Sequence, residues 1–554
     1  MYDYVIVGAG SAGCVLANRL SADPNVTVAL IEAGGRDRKR EIQIPAAFSK
    51  LFKTPLDWAF ETQPQKFLDD RELFWPRGKM LGGSSSINAM MWVRGHRADY
   101  DGWNLPGWSY DEVLPYFHRI EHRVGSNHHH TYGTDGPMWI EELRDPNPLT
   151  AAFLAACGEI GLRRNPELNE PDSTGFAPTP VTMHRGRRWS AADAYLHPVR
   201  KRPNLTVITG GLAERVLIAD GADGPVARGV VYRGESGDAI EVTARREVVL
   251  AAGAIGSPHL LMLSGIGDPD RLTAAGVPVA VRSLEVGRNL QDHLASGWIV
   301  HTPTAVTMVD AEKLGQVVKY LARRKGMLSS NVAEAVAMVH TEDGLPAPDI
   351  EIIFAPVPFL DHGFTEPPGH GFTVATILLQ PHSVGEITLA SADPTVAPHI
   401  DPHYLSDDAD LRCVLAGLTF ARNIMAAPSL ARHVGAPMRP DRWPTDDADL
   451  ETFVRTYSET LYHPVGTCRM GSDESSVVDA ELRVRGVAGL RVADASVMPR
   501  INRGHTNAPT IMIAERAAEL IAAGAAGGTG AAGVAGVAGG TGAAAGAGPT
   551  NATT

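Results

Sequence analysis

The chain is poor in cysteine, in net positive charge and in long apolar runs. Its 554 residues include only four cysteines, Cys14, Cys157, Cys413 and Cys468, which match neither a metal-binding spacing nor a disulfide framework. The net charge of −13 argues against a nucleic-acid partner and against a polybasic membrane surface. No apolar run approaches the roughly 18 residues of a transmembrane helix. These absences favour a reducing, cytoplasmic location.

Several other segments also exclude classes of function. The first apolar run starts almost at Met1, without a basic segment before it, so we expect no secretory signal. The tract of three histidines at 128–130 has small polar neighbours, which favours a solvated loop over a metal site. Residues 523–554 carry no charge and are nearly all Ala, Gly and Thr, so we predict a disordered tail. We therefore predict no metal.

Residues 4–32, YVIVGAGSAGCVLANRLSADPNVTVALIE, have the order of a dinucleotide-binding unit. An apolar run predicts a buried strand, a helical pattern follows, and a second apolar run ends at Glu32. Between strand and helix, Gly8, Gly10 and Gly13 have the G-x-G-x-x-G spacing.

Each of these residues suits a dinucleotide. Gly8 permits a tight turn, Gly10 allows close approach of a pyrophosphate, and Gly13 allows helix and strand to pack closely. The helix N-terminus offers free N–H groups and a positive dipole end. Glu32 can accept hydrogen bonds from ribose hydroxyls. Both FAD and NAD fit this unit.

Later segments predict a second domain and a return to the first. Short strand patterns fill residues 204–250, and residues 300–456 mix strands with helices in a way that predicts a separate sheet-based domain. After that, Asn507 and Pro509 stand where a helix cap and a first helical turn belong.

Six segments occur together in a characteristic order. They are GKMLGGSSSINAMMWVRG, GAIGSPHLLMLSGIG, VGRNLQDHL, YHPVGTCRMG, RVADASVMP and NAPTIMIAERAAELI. Together they resemble the glucose–methanol–choline (GMC) oxidoreductase family of FAD enzymes, over residues 2–522. The resemblance is closest to the bacterial alcohol and choline dehydrogenase branch.

This resemblance implies an α/β fold with two domains. A discontinuous, Rossmann-like FAD-binding domain would comprise residues 1–160, 203–299 and 457–522. An α+β substrate domain, with an antiparallel sheet covered by helices, would comprise residues 161–202 and 300–456.

The resemblance also implies a set of cofactor-binding residues. Gly8, Gly10, Gly13 and Glu32 would hold the ADP part, Val216 would meet the adenine, and Gly83, Asn88, Ala89, Asp494, Ala495, Pro509 and Thr510 would follow the ribityl chain and the flavin. Some relatives carry a histidine, bonded covalently to flavin, at the position of Ile87. Because isoleucine cannot form that bond, we expect non-covalent FAD.

The implied reaction is oxidation of a primary alcohol to the aldehyde, with hydride transfer to flavin N5. The proton acceptor should titrate near neutrality, which favours histidine. His463 matches the family's catalytic histidine, and we assign Asn507 as its partner that binds the substrate oxygen. His382 and His505 can reach the same region, and we interpret both as structural.

The alcohol itself is left open by the sequence. Trp58, Glu334 and Tyr462 are candidate substrate residues, and the first two would suit the cation of choline. The triplet before Glu334 lacks the aromatic residues of choline oxidases, so we favour an uncharged primary alcohol, aliphatic or aromatic.

Other readings remain alternatives at this stage. They are a choline dehydrogenase or oxidase, a lyase or decarboxylase on the same fold, and an NAD-binding or flavin-storage protein without catalysis. The electron acceptor is either O2 or a quinone or other carrier, and a quinone would suit loose association with the inner membrane face. A homo-oligomer is also left open.

Overall fold

The computed structural model describes residues 1–125, 131–303 and 306–531, so the histidine tract at 128–130 lies outside the described residues. The strands of its two large sheets are β1 (Tyr2–Val7), β2 (Val28–Glu32), β3 (Gly175–Pro178), β4 (Leu205–Thr209), β5 (Leu212–Gly221), β6 (Gly224–Arg233), β7 (Ala239–Leu250), β8 (Leu294–His301), β9 (Ala335–Val339), β10 (Ile350–Ala355), β11 (Gly371–Leu378), β12 (Pro437–Arg439), β13 (Glu459–Thr460) and β14 (Leu490–Val492).

The longer helices are α1 (Ser11–Leu20), α2 (Tyr110–Ile120), α3 (Pro148–Glu159), α4 (Gly253–Leu263), α5 (Leu314–Arg323), α6 (Asp408–Ala426), α7 (Asp447–Tyr457) and α8 (Asn507–Ala531). Short α-helices span Arg40–Gln43, Arg97–Asp101, Pro269–Ala274 and Pro428–Ala431, and short 3-10 or π turns span Pro45–Leu51, Gly83–Ser86, Ala192–Leu196, Met308–Asp310, Met327–Ser329, Asp361–Gly363 and Ala495–Val497. Small two-stranded ladders pair Phe60–Glu61 with Phe74–Trp75, Glu121–Arg123 with Met138–Ile140, Met183–His184 with Arg187–Arg188, Ile266–Gly267 with Val281–Arg282, and Glu386–Thr388 with His399–Asp401.

The first sheet is the predicted Rossmann-like sheet. Its order is β4-β2-β1-β7-β6-β5. Strand β6 pairs with the first half of β7, and β14 pairs with its last residues, Val248–Leu250, on the same side. Strands β4, β2, β1, β7 and β14 are parallel, while β5, β6 and β7 form an antiparallel meander. The central strands β1 and β2 are largely apolar and buried because both of their faces are covered, with Asp3 and Glu32 as the charged exceptions near their ends. The strand–turn–helix–strand unit predicted for residues 4–32 is confirmed as β1, α1 and β2.

The second sheet is antiparallel and forms a cap. Its order is β12-β8-β11-β10-β9-β3, and β13 also pairs with β8. Side chains alternate across this sheet. Trp298, Val300, Phe354 and Val374 join the core that includes Leu418 of α6, while the intervening residues face the other side. The predicted fold class, a Rossmann-like domain plus a helix-covered antiparallel sheet, is confirmed.

Helices α1 and α8 lie side by side and run in the same direction. Ser11 Oγ donates to Asn507 Oδ1 at 2.7 Å, where both helices begin. Eight residues further along each helix, the Arg19 guanidinium binds both carboxylate oxygens of Glu515, at 2.7 and 2.9 Å. Glu515 is fully buried and also accepts from the Tyr195 hydroxyl at 2.9 Å. The matching offsets place the two helix N-termini together.

Strand pairing and helix packing correct three predicted boundaries. Residues 294–299, predicted to belong to the FAD domain, are part of β8 in the second sheet. Glu459–Thr460, predicted for the same domain, form β13, which pairs with β8. The same prediction covers residues 148–160, but α3 packs against α6 and against β3 of the second sheet. In each case the partner lies outside the segment, so the pattern of the segment itself does not reveal it.

The predicted disordered tail is also corrected in part. Residues 523–531 continue α8 although four of these nine residues are glycine, because extending an existing helix needs no new nucleation step. Residues 532–554 lie outside the described residues. Among the helices that the structure describes, none combines the length and the apolar character needed to cross a bilayer.

Arg19→Met should destabilise the fold, because it leaves the Glu515 carboxylate buried without its cation. We expect the free energy of unfolding to fall by about 3 kcal/mol, with a clear drop in melting temperature. The matched control is Arg119→Met, which removes the exposed pair between α2 and Glu519 of the same helix α8. That change should cost less than about 1 kcal/mol. Equal melting temperatures for the two variants would contradict the role given to the Arg19–Glu515 pair.

Candidate active site

A cavity of about 650 Å³ lies between the two sheets. It extends from Glu32, at the carboxyl end of β2, past Gly10 and Gly83 to His463. Its walls combine the strand ends of the first sheet with one face of the second. Ligands of open parallel sheets bind at this end of the strands, so the cavity occupies the expected place for a dinucleotide.

Glu32 is held at one end of the cavity by backbone groups. Its carboxylate oxygens accept from the N–H groups of Ala9 and Gly34, both at 2.8 Å. Burial raises the pKa of Glu32 to about 7, even though these donors and Lys79 favour the charged form. A carboxyl group kept in such a dry position is suited to receive further hydroxyl donors. The adjoining wall is formed by residues 211–213.

Val216 does not line this end of the cavity, contrary to the prediction. Its side chain is buried in the core, and its N–H donates to Ser264 Oγ at 2.8 Å. The cavity wall comes instead from the first residues of β5 and the glycine before them, Gly211, Leu212 and Ala213. The cavity-lining residues of this segment therefore lie three to five positions before the predicted one.

The three glycines of the first turn have different reasons to be glycine. A Cβ on Gly8 would lie 2.5 Å from the Ala251 carbonyl oxygen, and one on Gly13 would lie 1.8 Å from the Gly8 carbonyl oxygen. At Gly10 the nearest atom is Gly83 Cα at 4.0 Å, and Gly10 lines the cavity. Backbone packing thus requires Gly8 and Gly13, whereas Gly10 leaves open the space where a pyrophosphate would approach.

The residues present fit FAD. Helix α1 has no side-chain cap at its start, so its N–H groups remain available to phosphate oxygens. The N-terminus of α8 lies beside it, and Asn507 and Thr510 line the cavity there. Two positive dipole ends that point at one cavity suit a bound anion.

The predicted flavin-side residues mostly line the cavity. Gly83, Asn88, Ala89, Ala495 and Thr510 do so, together with Ile87 and Asp494. The Asn88 side chain is fixed by Arg188, whose guanidinium donates to Asn88 Oδ1 at 2.7 Å.

Two of these predicted residues, Asp494 and Pro509, are buried. Asp494 accepts from Gly253 N, Ser257 Oγ and Ser496 at 2.5 to 2.9 Å, so its carboxylate joins the ends of β7 and β14. Pro509 is buried in the first turn of α8 and does not line the cavity.

His463 lies at the far end of the cavity, directly after β13. Its N–H donates to Asp292 Oδ1 at 2.6 Å, and Thr460 Oγ1 donates to the other Asp292 oxygen, also at 2.6 Å. The preceding Tyr462 has a φ of 67°, which is strained for an aromatic residue. Arg77 fixes this turn by donating to the Tyr462 carbonyl. These bonds fix the backbone of the turn with His463 at the cavity wall.

His293 determines which nitrogen of His463 carries the hydrogen. His293 Nε2 lies 3.1 Å from the Leu379 carbonyl, which can only accept, so this nitrogen carries a hydrogen. Burial lowers the pKa of His293 to about 3, so its other nitrogen, Nδ1, is an acceptor. His463 Nδ1 lies 2.9 Å from it and must donate. The lone pair of His463 therefore resides on Nε2.

His463 is neutral in this environment. Burial, followed by the neighbouring His505, His293 and Arg77, lowers the pKa of His463 well below its usual value, so the expectation that the proton acceptor titrates near neutrality is not met. The ring is nevertheless only half-buried, because it lines the cavity. An unprotonated imidazole with a free lone pair can accept a proton from a hydroxyl group in the cavity.

Strand pairing explains why His293 and His463 meet across 170 residues. In the pairing of β8 with β13, Leu294 lies opposite Thr460. His293 precedes β8 and His463 follows β13 at the same end of this short ladder. The segment VGRNLQDHL contains Asp292 and His293, but neither is assigned a functional role from the sequence. Two adjacent titratable residues directly before an apolar strand pattern are the signal that could have found them.

His505 lies against His463. The His505 and His463 rings are 4.9 Å apart, nearly perpendicular, and both line the cavity. His505 Nε2 lies 3.1 Å from Glu351 Oε1, and its backbone N–H donates to Val93. Asn507 also lines the cavity, but its carboxamide oxygen is bonded to Ser11. His505 thus reaches the cavity, as expected, while its interpretation as a structural residue stays a prediction. His382 is exposed and is absent from the cavity wall.

Glu334 does not face the cavity. One carboxylate oxygen accepts from Asn147 N at 2.7 Å and Thr150 Oγ1 at 2.5 Å, and the other accepts from Ser330 Oγ at 2.6 Å. These bonds tie β9 to the start of α3. Its predicted contact with a substrate cation is not supported, because both carboxylate oxygens are already bonded within the protein. Asn147 and Thr150 lie more than 180 residues away, so no local pattern reveals this.

Trp58 and Tyr462 do line the cavity. Trp58 stacks on Phe60, and the Lys79 ammonium already lies 4.3 Å from its ring centre. The Tyr462 hydroxyl is hydrogen-bonded to His362 Nδ1 at 2.5 Å. Both aromatic rings are thus fixed parts of the wall.

The cap side of the cavity is largely apolar. Phe48, Phe52, Ile299, Val332, Ile353, Phe359, Ala375, Ile377 and Leu461 line it. Two carboxylates also line it, but Asp361 is paired with Arg439, and Glu459 with Arg71 and His362. This wall suits an uncharged organic molecule.

One cluster outside the cavity has the composition of a metal site. Ligand atoms of Asp37, Asp193 and His197 lie within 4.8 Å of one another. Hydrogen bonds to the two carboxylates raise the pKa of His197 to about 9. The protonated imidazole is already neutralised by these acids and offers no lone pair to a cation.

Comparisons with known proteins agree with this geometry. Two family models described as GMC oxidoreductase match residues 2–295 and 381–514. An alcohol dehydrogenase [acceptor] of Pseudomonas putida is 44% identical over 531 residues, which cover 94% of this chain and 96% of that protein. The mitochondrial choline dehydrogenase of Homo sapiens is 40% identical, covering 94% and 89% of the two chains. The structure of an Aspergillus oryzae formate oxidase, which contains FAD, matches with a TM-score of 0.87 at 28% identity, covering 94% and 98%.

Proposed function

This chain belongs to the GMC oxidoreductase family, whose members act on CH–OH groups, and we propose that it oxidises an uncharged primary alcohol to the aldehyde with non-covalently bound FAD. The observation that carries the proposal is the neutral His463, whose Nε2 lone pair is left free beside the cavity. Bound FAD would supply the hydride acceptor. The chain itself must bind the alcohol, orient it and remove its hydroxyl proton.

His463 is the proton acceptor in this proposal. Its Nδ1 hydrogen is committed to His293, so a proton arriving at Nε2 produces an imidazolium whose second N–H is already bonded. We keep Asn507 as the residue that binds the substrate oxygen, because it lines the cavity and only its Oδ1 is bonded to Ser11, which leaves its carboxamide N–H groups to donate. The same Oδ1 bond joins the starts of α1 and α8 beside the expected pyrophosphate and flavin. His505 is a second polar group beside His463 in this wall.

The cap wall favours an uncharged alcohol over choline. A quaternary ammonium group would need an unpaired carboxylate or an open aromatic face. Glu334 is committed to Asn147, Thr150 and Ser330, and the Trp58 ring already holds the Lys79 ammonium. Aliphatic or aromatic primary alcohols match the apolar side chains that remain.

His463→Ala should retain FAD but lose about 10²–10⁴ in the rate of alcohol oxidation. The measurement is the anaerobic loss of flavin absorbance after mixing with a panel of primary alcohols and choline. Readmitting air then distinguishes O2 from another electron acceptor. His382→Ala, which changes an exposed histidine, is the control and should react normally. Flavin that no alcohol reduces in the unmodified protein would overturn the proposed function.

His293→Ala should slow alcohol oxidation by about 10- to 100-fold, because His463 Nδ1 loses the acceptor that fixes its tautomer. His293→Asn should recover part of the rate, since its carboxamide oxygen lies at nearly the same position along the side chain as Nδ1. Rates are compared at equal FAD content and at saturating alcohol. If the two variants react equally slowly, His293 serves packing and not the orientation of the hydrogen.

The FAD should leave the protein when the chain unfolds. Ile87 lines the cavity at the position where some relatives bond covalently to flavin, and its side chain has no group that can form this bond. After denaturation in acid or guanidinium and ultrafiltration, we expect the flavin absorbance in the filtrate and not with the retained polypeptide. Flavin that remains with the polypeptide would contradict non-covalent binding.

A further inference from the structure

Helix α5 turns its apolar side toward solvent. Leu314, Val318 and Leu321 are 78%, 55% and 65% exposed, and their spacing places them in one stripe along the helix. On the inner side only Tyr320 is buried. A surface helix normally buries its apolar stripe and exposes its polar side. An apolar stripe that faces solvent, as in α5, indicates a surface that binds another molecule or a membrane.

The charge around the stripe is opposite to that of the whole chain. Residues 310–325 contain five basic side chains, Lys313, Lys319, Arg323, Arg324 and Lys325, and only two acidic ones, in a chain with a net charge of −13. Arg323 and Lys325 are exposed. Apolar side chains flanked by lysine and arginine are the composition of helices that lie in the interface of an anionic membrane.

The exposed stripe is connected to the cap end of the cavity. The Tyr320 hydroxyl donates to the Gln43 carbonyl at 3.3 Å, and Glu312 forms an ion pair with Lys50. Lys50 belongs to the 3-10 turn Pro45–Leu51, and Phe48 of this turn lines the cavity. The turn Met327–Ser329, which packs on α5, leads to Val332 in the same wall. A surface bound to α5 would therefore lie near the apolar end of the cavity.

We propose that α5 docks the protein on an anionic lipid membrane, with Leu314, Val318 and Leu321 inserted among the lipid headgroups and Arg323 and Lys325 paired with their phosphates. Charge decides between lipid and a second copy of the chain. Two copies that met symmetrically through this stripe would bring two basic segments together, whereas an anionic bilayer offers the complementary charge. This inference does not depend on the proposed alcohol oxidation.

The test is co-sedimentation of the full-length, FAD-loaded protein with vesicles of phosphatidylcholine alone or mixed with phosphatidylglycerol. We expect binding to the mixed vesicles. The triple variant Leu314→Gln, Val318→Gln and Leu321→Gln should reduce it by about tenfold or more, while glutamine preserves the helix. Arg323→Gln with Lys325→Gln should also reduce it by about tenfold, by removing two charges near the lipid surface.

Val279→Gln is the matched control, since Val279 is another exposed apolar residue, 44% exposed and outside α5. It should bind vesicles as the unmodified protein does. FAD content and melting temperature confirm that each variant is folded. Failure of the unmodified protein to bind mixed vesicles would overturn the proposal, as would binding that survives the triple substitution. A dimer seen by light scattering that the triple variant abolishes would assign the stripe to self-association and also overturn it.

Discussion

The parallel alignment of α1 and α8 is the constraint on which the rest of the site depends. Two parallel helices with adjacent N-termini place two positive dipole ends side by side, an arrangement that an anion stabilises. The buried Arg19–Glu515 pair and the Ser11–Asn507 hydrogen bond hold this alignment. Residues 11 and 507 lie near opposite ends of the chain, yet both helices begin at the same cavity. The same geometry suits a pyrophosphate and an electron-rich ring in one cofactor.

The second constraint is the point where the chain passes from one sheet to the other. Strand β8 begins one residue after His293, and β13, which pairs with it, ends three residues before His463. Asp292 holds the backbone of His463, while His293 holds its ring. The chain crossing thus does two things: it attaches the cap sheet to the cofactor domain and it orients the proton acceptor. The proton acceptor and the substrate wall are consequently parts of one rigid arrangement.

The sequence predicted what is encoded by local spacing. The glycine turn, Glu32 and the order of strand, helix and strand all lie within residues 4–32, and each was found in its expected place. His463 also lines the cavity as expected. The failures involve partners distant in sequence. Glu334 is bonded to Asn147 and Thr150 across more than 180 residues, so its burial had no local sign.

The neighbours of His463 show that sequence prediction is also limited within a single short segment. His505 and Asn507 are two residues apart, and composition alone does not separate them. The difference arises because α8 begins at Asn507, whose side-chain oxygen is bonded to Ser11, while His505 precedes the helix and its N–H is bonded to Val93, with its ring beside His463. Two residues that are close in sequence thus contact different parts of the site.

The central claim is that His463 accepts the hydroxyl proton of an alcohol bound in the cavity beside FAD. The most direct measurement is a crystal structure of the FAD-loaded protein with a slowly reacting primary alcohol analogue. The account predicts the hydroxyl oxygen within hydrogen-bonding distance of His463 Nε2 and of the Asn507 carboxamide. A flavin bound outside this cavity, or a hydroxyl group that does not contact His463, would contradict it.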